Sequence, residues 1–269
     1  MNRVEGKVAL ITGAARGQGR NHALRLAEQG ADIILTDACI EYDSMPYRQG
    51  TEEDLAITAK MVEEIGRKVF VRKADVRDHD QMSAAVNDGV AELGHLDIVC
   101  ANAGICSCQP WDEVTPQLWK DTLDVVLTGV WNTCVASIPH LINNGGGSII
   151  ITGSTSAVKG QPLFAPYVAA KHGVLGILRS LANELAPHHI RVNAVHPAGV
   201  DTPMQESFGG IERLFANNPH TSGIYMNAMP DVDLVKVEDV TNAVLYLADD
   251  GSRYVTGSEM RVDAGCLVR

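Results

Sequence analysis

The chain has 269 residues, 45% of them hydrophobic and 20% charged, which is globular composition and room for one large domain or two small ones. Its formal net charge of -11, with no block of Lys or Arg, makes nucleic acid and anionic membranes poor partners. No apolar run approaches the ~20 residues of a membrane span, and the N-terminal run Val8 to Ile11 is too short for a signal peptide, so a cytoplasmic location is expected.

Lys7-Val-Ala-Leu-Ile-Thr12 is a short apolar run ending at glycine, the pattern of a buried parallel strand. Gly13-Ala-Ala-Arg-Gly17-Gln-Gly19 follows, and then a helical pattern containing Ala23, Leu24, Leu26 and Ala27. Glycines between a strand and a helix let the backbone approach a pyrophosphate, and the helix N-terminus adds free N–H groups and a positive dipole end. The spacing is Gly-x-x-x-Gly-x-Gly, not Gly-x-Gly-x-x-Gly, so the placement argues more strongly than the motif. Ala31 to Asp37 reads as a second strand ending in an acid ~20 residues past the glycines, where a carboxylate binds both ribose hydroxyls of adenosine and repels a 2′-phosphate. Ala38 brings no compensating charge, so NAD is expected over NADP, with Arg16 the one residue arguing the other way.

Cys39 to Gly50 is turn-rich, holds Tyr42, Pro46 and Tyr47, and exceeds the ~2–6 residues usual between strand and helix. It is expected to fold over the adenosine end of the site and slow cofactor release. Thr51-Glu-Glu-Asp54 opens a helix running toward Gly66. A third strand spans 68–74, a helix 78–93, and a fourth strand 95–101, followed by Asn102-Ala-Gly104. Small residues at the C-terminal end of a strand suit close approach of a ligand. Trp111 to Ser137 is a long helical pattern, and Gly147 to Thr152 is a fifth strand ending in Gly153-Ser154. The helix carrying Tyr167 and Lys171 runs to about Ala186. Ile190 to Val195 is a sixth strand, Val237 to Ala248 a helix, and Met260 to Val262 a last strand. Strands alternating with helices, without repeat or linker, predict a single α/β domain over 1–269: one doubly wound, Rossmann-type parallel sheet of about seven strands with helices on both faces.

Tyr167 and Lys171 stand one helical turn apart on one face. A free phenol titrates near pH ~10, too high for a base at neutral pH. A neighbouring ammonium favours phenolate, so the pair is a route to a tyrosine general base or, in reverse, acid. Metal chemistry is not indicated. The six cysteines form no Cys-x-x-Cys, Cys106 and Cys108 stand two apart, the nine histidines show no metal-ligand spacing, and free thiols are expected.

Taken together, Thr12-Gly13-x-x-x-Gly17-x-Gly19, Asn102-Ala-Gly104, Ser154, Tyr167-x-x-x-Lys171 and Pro197-Ala-Gly199 resemble the short-chain dehydrogenase/reductase family over essentially the whole chain. A narrower resemblance, to the mycofactocin-associated, carveol dehydrogenase-like branch, rests on Ile11 to Arg20, the insertion after Asp37, Val99 to Ile105, Tyr167 to Gly173 and Arg191 to Pro197. The resemblance implies a secondary alcohol oxidised to a ketone, or the reverse, with NAD(H). It implies a homotetramer built partly from the helices at 111–137 and 167–186, and NAD that exchanges poorly and is recycled by an external, mycofactocin-like redox carrier. By the same resemblance, Tyr167 is the catalytic base, Lys171 lowers its pKa and binds the nicotinamide ribose, and Ser154 holds the substrate oxygen. Gly13, Arg16, Gly17, Gln18 and Gly19 match the pyrophosphate loop, Asp75 and Val76 the adenine contacts, and Asn102, Ala103 and Gly104 the adenosine side. Pro197, Gly199, Val200 and Thr202 match the nicotinamide loop.

One position departs from the family. Its usual Asn-Leu-x-Gly is Val126-Leu-Thr-Gly129 here, so the asparagine that helps hold a relay water is replaced by valine, and slower proton transfer is expected. Two other readings are a cofactor-binding protein with a decayed site and a reductase of lipid or steroid ketones, which Asp37 disfavours. The segment at about 200–235, with Phe208, Ile211, Leu214, Phe215, Tyr225, Met226 and Met229, is expected to cover an apolar cyclic, terpene-like or steroid-like alcohol.

Overall fold

The apolar runs pair side by side as the buried centre of one sheet. In the computed structural model, β1 (Val8–Thr12), β2 (Asp32–Asp37), β3 (Val69–Lys73), β4 (Ile98–Ala101), β5 (Gly147–Thr152), β6 (Ile190–Pro197) and β7 (Glu259–Val262) are all parallel, in the spatial order β3-β2-β1-β4-β5-β6-β7. Residues 2–208, 215–216 and 219–269 are described, with positions 207 and 208 described in their backbone only. Every residue of β1 and β4 is buried, because helices cover both faces of the sheet.

The two faces have separate cores. Val8 and Leu10 of β1 join one, Ala9 and Ile11 the other, following the period of two along a strand. The first core lies under α3 (His79–Leu93), α5 (Gly129–Asn143) and α6 (Ala165–Glu184). The second lies under α1 (Gly17–Glu28), α2 (Glu52–Glu64) and α7 (Val237–Ala248). The strand order reverses between β1 and β4, so the crevice at their C-terminal ends is where such a sheet takes a ligand. Thr12 and Asn102 stand at that crevice. The α2 start is a complete capping box between Thr51 and Asp54, as the Thr-Glu-Glu-Asp run predicts.

The long helical pattern differs from expectation at both ends and in its middle. Trp111 sits in a turn, 84% exposed, and α4 (Pro116–Leu123) starts after it. Thr115 caps α4 through the Leu118 N–H and Pro116 supplies the first turn, a stronger start signal than the apolar residues upstream. The helix then widens into a π turn over Asp124–Thr128 before α5, which runs past Pro139 to Asn143. Among the described residues, Pro116–Asn143 is the one helix long and apolar enough to cross a membrane, and 56% of its most apolar window is buried against the rest of the chain.

Candidate active site

The β1–α1 turn is shaped for close approach. Gly13 has φ +67°, and a Cβ there would meet Ala103 Cα at 2.8 Å; a Cβ on Gly19 would meet the Gly13 carbonyl oxygen at 2.0 Å. Gly17 has φ +55°, a left-handed conformation that favours glycine. Helix α1 begins without a side-chain cap and without an acid in its first turn, so its leading N–H groups are open to an anion. Gln18 Oε1 is buried without a hydrogen-bond partner. A cradle closed to side chains and an open helix end fit a bound pyrophosphate.

Asn102 ties the crevice together. Its Nδ2 donates to Thr12 O at 3.0 Å, and its Oδ1 accepts from Thr152 Oγ1 at 3.1 Å. The Thr12 hydroxyl accepts from the N–H groups of Asn102 and Ala103, both at 3.0 Å. Asp37, Val76, Ala103 and Gly104 line the same cleft. The Asp37 carboxylate accepts from the Ala15 and Cys39 N–H groups, each at 3.1 Å, which aims it into the cleft at the end of β2.

Val76 of the expected adenine pair lines the cleft, and the Asp75 carboxylate is bound by Arg77, Nη2 to Oδ2 at 2.6 Å.

The insertion does fold over the cleft. Ile40, Tyr42, Tyr47, Gln49 and Gly50 form part of its wall. Ser44 Oγ donates to Asp121 Oδ2 of α4 at 2.7 Å, and the Arg77 guanidinium stacks 4.9 Å from the Tyr42 ring centroid. Tyr47 is buried, accepts from the Cys106 N–H at 3.4 Å, and carries the Arg16 guanidinium 5.7 Å from its ring centroid. The segment is thereby pinned to α4, the loop after β3 and the loop after β4.

Ser154, Tyr167 and Lys171 line one adjoining cleft with Pro197, Gly199, Val200 and Thr202. Gln18, Asn102, Gly104, Thr202 and Met204 border both clefts and join them. Ser154 Oγ accepts from the Ser156 N–H at 3.1 Å and shares a hydrogen bond with the Tyr167 phenol. Lys171 is 2% exposed; Nζ donates to Thr152 O at 2.6 Å and lies 5.4 Å from the Tyr167 ring centroid. Burial pulls the Lys171 ammonium down to about 8, with Cys106 acting the other way.

Burial pushes Tyr167 above its ordinary value, Cys106 and Tyr47 add to the rise, and its hydrogen bond with Ser154 opposes it. Burial outweighs the nearby Lys171 ammonium, which bonds the Thr152 carbonyl and lies over the ring. Cation-driven acidity therefore needs a further positive charge in the cleft.

The substrate side of the cleft is lined by Cys106, Phe164, Phe215, Tyr225 and Leu234. Tyr225 stacks against Phe164 and Phe215 with centroids 5.9 and 5.2 Å away. Of the segment expected to cover it, Met226 and Met229 are exposed, Ile211 and Leu214 lie outside the described residues, and the Phe208 side chain does too. Two polar residues, one on these walls and one behind Ser154, escape a reading of motifs. Gln161 lines the cleft, and His196, fully buried at the end of β6, accepts the Ser154 N–H at 3.0 Å. A polar residue directly before Pro197 at a strand end was the available signal for the histidine.

The profile of the family described as Enoyl-(Acyl carrier protein) reductase matches residues 13–266. The chain belongs to the short-chain dehydrogenase/reductase family. Within that family it is 46% identical to a (-)-trans-carveol dehydrogenase of Rhodococcus erythropolis, over 100% of both chains. A short-chain dehydrogenase of Mycobacterium paratuberculosis, solved bound to NAD, superposes with a TM-score of 0.97 at 42% identity over 99% of this chain and 100% of that one. A carveol dehydrogenase of Mycobacterium avium, solved in complex with NAD, superposes with a TM-score of 0.93 at 45% identity over 100% of both.

Proposed function

We propose that this family member is an NAD-dependent oxidoreductase that interconverts a secondary alcohol, of the apolar cyclic kind, and its ketone. The observation that carries the reading is the convergence of Ser154, Tyr167 and Lys171 on one wall of a cleft continuous with the glycine cradle. The likeness to carveol dehydrogenases and to NAD-bound relatives supports the substrate class and the cofactor.

The chain's own groups divide the work. Gly13, Gly17, Gly19 and the α1 N-terminus hold the pyrophosphate, with Arg16 and Gln18 beside it, and Asp37 selects the unphosphorylated ribose. Asn102 to Gly104 wall the adenosine side, and Pro197 to Thr202 the nicotinamide side. Ser154 turns its hydroxyl hydrogen bond to the substrate oxygen. Tyr167 takes the hydroxyl proton during oxidation and returns it during reduction. Lys171, with a pKa lowered to about 8, passes that proton onward, and two of its three hydrogens remain for a ribose or a relay water. The bound dinucleotide supplies the hydride acceptor and, when oxidised, a positive charge in the cleft.

Further features follow the branch resemblance. The pinned insertion 39–50 slows dinucleotide release, so turnover relies on an external, mycofactocin-like redox carrier. The exposed Trp119 and Trp131, on α4 and α5, support a homotetramer packed through these helices. The enzyme is cytoplasmic, one domain spans 1–269, and the segment at about 200–235 closes over the substrate. The test is a screen of cyclic secondary alcohols against purified protein with an artificial electron acceptor, beside a free-NAD assay. Ketone formation in the first arm is expected; a folded, NAD-loaded protein that oxidises none of the alcohols contradicts the proposal.

A further inference from the structure

The substrate cleft carries one polar feature that neither the Tyr167 chemistry nor the apolar lining requires. Several amide and hydroxyl groups on its walls are committed to backbone carbonyls. The Tyr225 hydroxyl donates to Pro162 O, the Asn227 amide to Val232 O at 2.6 Å, and the Gln205 amide to Val200 O at 2.9 Å. These side chains hold the cleft's own walls in place. Gln161 is different: among the described residues it hydrogen-bonds only to side chains.

Its orientation is set by Ser156. The Ser156 hydroxyl donates to Gln161 Oε1, while the Ser156 N–H donates to Ser154 Oγ at 3.1 Å. One residue thus fixes both the reacting serine and the Gln161 carbonyl. With its carbonyl held by Ser156, Gln161 has its amide nitrogen left over as a donor. That nitrogen has two hydrogens and a single contact, Thr155 Oγ1 at 3.4 Å, so at least one N–H is left unused on a ligand-facing wall. A half-buried amide donor beside apolar rings is an orienting group for a ligand oxygen.

From this geometry we infer that Gln161 is a specificity-determining residue, and that the preferred substrates are cyclic secondary alcohols bearing a second, hydrogen-bond-accepting oxygen such as an ether, ester or ketone. The inference rests on the alcohol dehydrogenase reading above. The reacting hydroxyl sits at Ser154 and Tyr167, the ring lies against Phe164 and Tyr225, and the second oxygen meets Gln161 Nε2. One neutral hydrogen bond is the whole difference, so the selectivity is modest.

The test compares isosteric pairs: 4-methoxycyclohexanol with 4-ethylcyclohexanol, and the 3-substituted equivalents, using NAD-loaded protein and an artificial electron acceptor. The ether is expected to show kcat/KM about 5- to 10-fold above its hydrocarbon partner in at least one pair. Gln161→Leu brings the ether-to-ethyl ratio of kcat/KM to about one, whatever its effect on the absolute rates. Gln161→Glu, which offers only acceptors, turns against the ether. Equal kcat/KM within both pairs in the unmodified protein, or a preference that survives Gln161→Leu, overturns the assignment while leaving the dehydrogenase reading intact. Absence of turnover with all four alcohols and with unsubstituted cyclic alcohols overturns both.

Discussion

His196 Nδ1 accepts the backbone N–H of Ser154 at 3.0 Å. An accepting Nδ1 places the ring proton on Nε2, which faces Glu259 Oε2 at 3.6 Å, and Glu259 is paired with Arg179 at 2.7 Å. Burial holds the His196 pKa below its ordinary value and keeps the ring neutral. Gly153 packs against the same ring: a Cβ there would stand 2.3 Å from Nδ1. The imidazole is therefore the rear support of the loop that carries Ser154.

Removing that support displaces Ser154 without touching substrate. His196→Leu is expected to lower kcat about 100-fold, the cost of a small misplacement at a reacting centre, with little change in alcohol KM. His196→Asn, which restores an acceptor near Nδ1, recovers most of the loss. Equal kcat losses in the two variants would show that the ring only fills space.

Val126 lies in the π turn Asp124–Thr128, fully buried in the core under α6. Unusual turns of this kind recur at functional sites. Asparagine at this position puts back the polar side chain usual in the family, at the cost of burying an amide. Val126→Asn is expected to raise kcat several-fold and shift its pH dependence, with a stability loss of about 1–3 kcal/mol if the amide stays unpaired. Unchanged rates and an unchanged pH profile would mean that the relay runs without a side chain at 126.

The insertion is held by identifiable ties. Ser44→Ala removes the bond to Asp121, and Tyr42→Leu removes the stack on Arg77. The double variant is expected to release bound NAD(H) about 10-fold faster, measured by fluorescence after dilution into a scavenger. Release at the unmodified rate, or purification of the unmodified protein free of dinucleotide, would count against the insertion as a retaining strap.

Lys171 sets a pH limb. Burial lowers its pKa to about 8, so below that pH it is charged and accepts no proton, and above it the amine is free to do so. Alcohol oxidation is therefore expected to rise with pH through about 8, and ketone reduction to fall across the same range. Lys171→Arg should move the limb upward. A rate that stays flat from pH 7 to 9 in both directions would remove lysine from the path.

What could be read without coordinates followed how local the cause was. Gly13 and Gly19 announce a phosphate cradle because strand, turn and helix are contiguous, and Tyr167 and Lys171 share a face by helical spacing alone. The start of α4 was misread because Thr115-Pro116 outweighs the apolar residues before it. The Arg77 partner of Asp75, two residues on, is a side-chain contact that spacing does not announce. The direction of the Tyr167 shift depends on burial, with Cys106 and Tyr47, from loops far apart in sequence, adding to it. Gln161 and His196 gain meaning only through Ser156 and Ser154, contacts that no periodicity encodes.

The most direct measurement is ketone formation by Tyr167→Phe in folded protein whose NAD content matches the unmodified enzyme. Removing the hydroxyl leaves the ring, the Lys171 bond to Thr152 and the dinucleotide cradle in place. The rate should fall by a factor of about 100 to 10,000, the usual share of a general base, with dinucleotide binding retained. Ketone produced at the unmodified rate would contradict the assignment of proton transfer to Tyr167.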